Sequence, residues 1–162
     1  MPIHKSISGR NMPIHFKEHL IVFTRYPEPG KTKTRLIPLF GAEGAADLQR
    51  KMTEHTLWQV KRLSTSRKLR VGIRYDGGDK NVMQTWLGQD FEYRPQGSGD
   101  LGRRMKCSLE DAFRSGASQA VIIGTDIPEI TEDIIQKDTG ICANIERVLM
   151  NKGTYPSIWK KS

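Results

Sequence analysis

The chain has 162 residues, 36% of them hydrophobic and 27% charged, the proportions of a globular domain with a core of its own. No apolar run approaches the roughly 18 residues of a membrane span, and Met1–His19 lacks the continuous apolar segment of a secretory signal. Cys107 and Cys142 stand far apart, which indicates neither a zinc cluster nor a disulfide framework; a cytoplasmic protein is expected.

The tetrapeptide MPIH occurs at Met1–His4 and again at Met12–His15, too short a period for a solenoid. Met1 and Met12 are both candidate starts, the second leaving the first eleven residues as a flexible or misannotated extension, and residues 1–16 are read as a flexible N-terminal extension. From Leu20 the pattern alternates. Leu20–Thr24 reads as a buried strand running into a turn with Pro27, Pro29 and Gly30, followed by Lys31, Lys33 and Arg35. A strand that ends in cations beside flexible backbone is how an α/β domain builds a phosphate site, although a solvated basic turn has the same composition.

Ala42–Leu63 has apolar residues at mostly helical spacing, and Leu69–Tyr75 alternates as a strand does. A turn over Asp76–Asp79, a short helix over Lys80–Leu87 and a brief strand over Phe91–Arg94 follow. Leu101–Arg114 reads as a helix opened by Asp100, and Ala120–Gly124 as an apolar strand ending at Thr125–Asp126. Thr131–Lys137 opens another helix, with Thr131 as its cap. Strands spaced by helices predict a three-layer α/β/α domain with a mostly parallel sheet. Right-handed crossovers then place the loop after the first strand and the Gly124–Pro128 loop along one carboxyl edge.

Two nucleotide motifs fail on inspection. Gly30-Lys31-Thr32 matches the end of a P-loop, but Arg25 stands where its first glycine is needed, and Pro27 and Pro29 remove backbone donors. Gly97, Gly99 and Gly102 fit G-x-G-x-x-G by spacing, yet they follow the third strand rather than the first.

Three segments in order, Pro27–Leu36 (PEPGKTKTRL), Gln96–Met105 (QGSGDLGRRM) and Ile122–Thr131 (IIGTDIPEIT), resemble the glycosyltransferase-A-like proteins related to 2-phospholactate guanylyltransferase and the molybdenum-cofactor guanylyltransferases. The resemblance covers roughly Leu20 to Lys137. It implies a Rossmann-like nucleotide-diphospho-sugar transferase fold with a nucleotide or nucleotide-sugar over the carboxyl edge of the sheet. Lys33 and Arg35 would contact its phosphates, with Arg25 and Gly30 in the same turn. Gly99, Asp100, Leu101 and Gly102 would line the base and ribose pocket. Asp126 would bind Mg²⁺ or Mn²⁺. The resemblance assigns no catalytic residue, and the acceptor is unknown.

Each residue has a plainer reading as well. Asp126 also suits a turn before Pro128, Lys33 and Arg35 a solvated helix start, and Asp100 a helix cap. His55 is expected to be a surface or packing residue, and Cys107 a packing residue.

Beyond Lys137 the resemblance stops. Residues 17–137 are read as the nucleotide-binding domain and 138–162 as a divergent tail, either a natural short form or a frame-shifted one, with one amphipathic helix over Ile141–Met150. The strand at Ala120–Gly124 would then keep an open edge unless the tail or a second copy of the chain covers it. A non-catalytic binding or assembly module is the alternative to a transferase. The net charge of +8 and the basic run Lys61, Arg62, Arg67, Lys68, Arg70 and Arg74 suit nucleic acid, but no aromatics interleave to stack bases, and nucleic-acid binding is not expected.

Overall fold

The computed structural model describes residues 16–126 and 148–151. Four parallel strands form the body of one sheet: β1 (Glu18–Arg25), β2 (Leu69–Asp76), β3 (Glu92–Pro95) and β4 (Gln119–Gly124). A fifth strand, β5 (Val148–Asn151), runs antiparallel to β4, and the spatial order is β3-β2-β1-β4-β5. Three helices connect the parallel strands: α1 (Ile37–Ser66), α2 (Lys80–Leu87) and α3 (Leu101–Arg114).

Strands β1 and β4 are apolar on both faces because both faces are covered. On one side Leu20, Val22, Ile73 and Ile123 pack against Leu57, Val60 and Leu63 of α1 and Met83 and Leu87 of α2. On the other, Ile21, Phe23, Ala120 and Ile122 meet Met105, Leu109 and Ala112 of α3. The expected three-layer α/β/α domain is what these residues build. Each fully buried aliphatic side chain contributes about 1.5–3 kcal/mol.

The helix ends follow local chemistry. Asp79 caps α2 by accepting from the Val82 N–H, and Asp100 caps α3 by accepting from the Arg103 N–H. Helix α1 begins earlier than its apolar spacing suggests. Ile37–Phe40 forms a separate turn that Gly41, at φ 71° and ψ 170°, breaks from the main helical run. A side chain at Gly41 would be strained in that conformation.

The tail differs from expectation. Residues 148–150 lie in β5 rather than in a helix, and this strand pairs with the edge of β4, so of the two expected covers for that edge it is the tail that supplies one. The rest of the Ile141–Met150 segment, the Thr131–Lys137 helix and residues 1–15 of the N-terminal extension lie outside the described residues.

Candidate functional site

Strand β1 sits at the point where the strand order reverses, with β2 and β3 on one side and β4 on the other. The loops leaving β1 and β4 therefore part from each other at the carboxyl edge, and a crevice opens between them. The cleft measures about 320 Å³, and Arg25, Lys33, Asp76, Leu101, Arg104 and Asp126 are among its lining residues.

The loop after β1 is fixed by its own hydrogen bonds. Lys31 N–H donates to the Glu28 carbonyl at 3.1 Å around Pro29-Gly30, and Gly30 takes φ 80°, the conformation a type II turn needs at that position. The buried Thr32 hydroxyl donates to the Tyr26 carbonyl at 2.9 Å and accepts from the Glu28 N–H at 3.1 Å. These clips force the next residue into an unusual shape: Lys33 is left-handed, at φ 49° and ψ 45°. Among the described residues it is the sole non-glycine with positive φ. Its ammonium thereby reaches across the cleft to Asp126, after β4, at 2.9 Å. The Lys33 side chain is 17% exposed and that of Asp126 is 73% exposed.

Beneath this pair lies a buried polar floor. The Thr24 hydroxyl lies 2.9 Å from that of Thr53 and 3.2 Å from that of Thr125. The Gln49 amide donates to Thr53 at 3.2 Å and Thr125 at 3.4 Å. At the side, the Gln96 amide ties two strands together by donating to the carbonyls of Thr24 at 3.0 Å and Arg74 at 3.2 Å. Its oxygen accepts from Arg104 Nη1 at 2.7 Å. Arg104 Nε is buried without a hydrogen-bond partner among the described residues, so this cation in the wall keeps a donor unspent.

The expected site residues divide. Arg25, Lys33, Leu101 and Asp126 line the cleft. Arg35 is exposed in a 3-10 turn (Thr34–Leu36), Gly30 shapes the loop, and Gly99, Asp100 and Gly102 are not among the lining residues. Asp100 takes its plainer role as a cap, and Cys107 is exposed rather than packed. Three contributors escaped the sequence reading. Asp76 was placed in a turn, but it ends β2 opposite Arg25 at 3.9 Å. Arg104 and Gln96 gave no signal beyond the motif that contains them.

The basic run is dispersed. Lys61 lies over the Phe91 ring and Arg62 over Trp58, while Arg67 pairs with Glu18 and Arg70 with Glu92. No helix among the described residues is long and apolar enough to cross a membrane.

Known proteins can now be set beside this geometry. Residues 59–148 match a family described as an uncharacterized protein conserved in bacteria, DUF2064. The chain belongs to the DUF2064 family. The matched span includes Gln96, Arg104 and Asp126 but not Lys33. A crystal structure from Desulfovibrio desulfuricans G20, provisionally named a nucleotide-diphospho-sugar transferase, superposes with a TM-score of 0.69 at 34% identity. The alignment covers 75% of this DUF2064 chain and 52% of that protein, so the chain spans about half the neighbour's length. A further match, 40% identical over 43 residues, is to a protein named probable tRNA pseudouridine synthase B of Methanocaldococcus jannaschii. It covers 26% of this chain and 12% of the other, too little to bear on the site.

Oxygen donors suit a hard divalent cation, which is held by one or two carboxylates while phosphates and water complete its shell. The exposed Asp126 carboxylate and that of Asp76 in the same cleft fit this description. No group of three or more potential metal ligands occurs among the described residues, so any ion here would depend on its substrate for further ligands.

Proposed function

We propose that this DUF2064 chain binds a nucleoside diphosphate, or a sugar carried on one, in the cleft at the carboxyl edge, and belongs to a transferase acting on that ligand. The observation that carries the reading is the Lys33–Asp126 bridge across the strand-order reversal, in a fold shared with a neighbour named for nucleotide-diphospho-sugars. A diphosphate entering the cleft would take the Lys33 ammonium from Asp126 and free that carboxylate for a cation. Arg104 and Arg25 would face the same anion from the other walls. Leu101 gives an apolar surface beside the ribose or base.

Asp126 and Asp76 would hold Mg²⁺ or Mn²⁺, which supplies charge neutralisation on a departing diphosphate or pyrophosphate. Lys33 and Arg104 add fixed positive charge at the same place, where it stabilises the transition state more than the ground state. The acceptor attacks from the open side, so the chain needs no covalent nucleophile of its own. Transfer of the sugar and transfer of the nucleotidyl group both use this arrangement.

Thermal unfolding with a panel of nucleotides and nucleotide-sugars, with and without Mg²⁺, tests the reading. A ligand at a hundred times its dissociation constant adds about 2.7 kcal/mol to the wild type. The Mg²⁺-dependent part of the shift should vanish in Asp126→Asn. A shift that ignores Mg²⁺ and Asp126, without turnover, favours the binding-module reading. A cooperative transition that no nucleotide moves overturns the proposal.

A further inference from the structure

A second concavity lies on the α3 face of the sheet, away from the cleft, and shares no lining residue with it. Helix α3 covers β1 and β4 on this face and leaves part of β2 and β3 bare. In-register pairing puts Ile21, Gly72 and Glu92 in one row and Phe23, Arg74 and Arg94 in the next. His19 and Arg70 form the row before them.

The charges here do not balance. Glu92 bridges Arg70 and Arg94, while Asp111 of α3 is shared by Arg74 at 3.6 Å, Arg94 at 3.9 Å and Arg114 at 3.0 Å. Four guanidiniums thus share two carboxylates. Arg74 is only 6% exposed, and its guanidinium faces the Asp111 carboxylate at 3.6 Å, an ion pair longer than a hydrogen bond. Burial and the neighbouring Arg94 both press its pKa down. A buried cation is costly, and here the carboxylates of Asp111, at 3.6 Å, and Glu92 stabilise it against the repulsion of Arg94 and Arg70.

The floor is open as well. Gly72 occupies the interior of a central strand, where a side chain would normally add packing and β propensity. A Cβ built there meets nothing closer than the Glu92 carbonyl oxygen at 3.9 Å, so the fold does not demand glycine at this point. The missing side chain leaves a space of about 20 Å³ beside Arg74, room for one oxygen atom, opening outward between half-exposed arginines.

We propose that this crevice is a binding site for a phosphate group, with one phosphate oxygen seated over Gly72 against Arg74 and the others held at the mouth by Arg70 and Arg94. Planar guanidiniums match tetrahedral oxyanions with paired hydrogen bonds, which is why arginine rather than lysine would be used. The phosphate is either a free ion or the terminal group of a larger molecule.

Calorimetric titration with inorganic phosphate, at constant ionic strength held by chloride, tests the site on the full chain. The wild type should show saturable binding of one ion. Gly72→Val fills the floor without touching a charge and should abolish binding, while Arg94→Gln should weaken it roughly tenfold, about 1.4 kcal/mol. Lys33→Ala, in the cleft, should leave it unchanged. Phenyl phosphate binding as tightly as phosphate identifies a terminal phosphoryl group as the ligand, and phosphate alone identifies the free ion. Binding that persists in Gly72→Val, binding lost in Lys33→Ala, or no saturable binding to the wild type overturns the proposal.

Discussion

Lys33 combines an ion pair that adds little stability with a backbone shape that costs some. A partly exposed ion pair is worth roughly 0–1 kcal/mol, whereas a left-handed non-glycine residue costs about 1 kcal/mol or more. Lys33→Gly should therefore be about 1 kcal/mol more stable than Lys33→Ala in denaturant unfolding, with both variants losing nucleotide-induced stabilisation. Such strain at the edge of a cleft is the observation that singles Lys33 out for this test. Asp100→Ala should behave oppositely, losing about 1 kcal/mol of stability with ligand affinity intact, because its carboxylate serves the Arg103 N–H. The cap at Asp100 was legible in the sequence because capping depends on its immediate neighbours. The outward placement of Arg35 was not, since it follows from the left-handed turn just before it. Arg104 was hidden for another reason: an arginine pair on an amphipathic helix reads as solvated surface until the sheet beneath it is known.

Among the elements, α2 and α3 have the bounds their sequence patterns predicted, because each pairs a capping aspartate with apolar spacing. Helix α1 was legible in its main run but not in its first turn, where Gly41 interrupts the pattern. Asp76 was misplaced because an acidic residue before glycines suits a turn, and only pairing with Arg25 holds it in β2. Strand β5 was not legible at all. Its residues pair with β4 across a long separation in sequence, and no local pattern announces that. Because β5 shields the edge of β4, Leu149→Pro should free that edge and produce concentration-dependent self-association in size-exclusion chromatography. On the opposite layer, Leu109→Ala removes a 1% exposed side chain from between α3 and the sheet, and it should cost about 2–5 kcal/mol by urea unfolding.

For the molecule as a whole, acid should act in two stages. Burial, then Arg70, holds His19 below its usual 6.5, so the folded state binds this proton less readily than the unfolded chain. The stability it contributes is complete above 6.5 and is lost as pH falls from there toward the folded-state value. Burial pushes Glu92 up, but Arg70, Arg94 and Arg74 outweigh it and hold the carboxyl below 4.5. Its contribution is present above 4.5 and fades at lower pH. Unfolding free energy measured against pH should show both slopes, and His19→Gln should erase the first alone. The cleft differs from this charged face in the material of its floor. Thr24, Thr53 and Thr125 meet hydroxyl to hydroxyl, and in the Thr24 contacts either oxygen can donate. Their hydrogens can rotate together without moving a heavy atom. The floor is thus a small reorientable dielectric, able to turn its dipoles toward an anion that arrives and back again when it leaves.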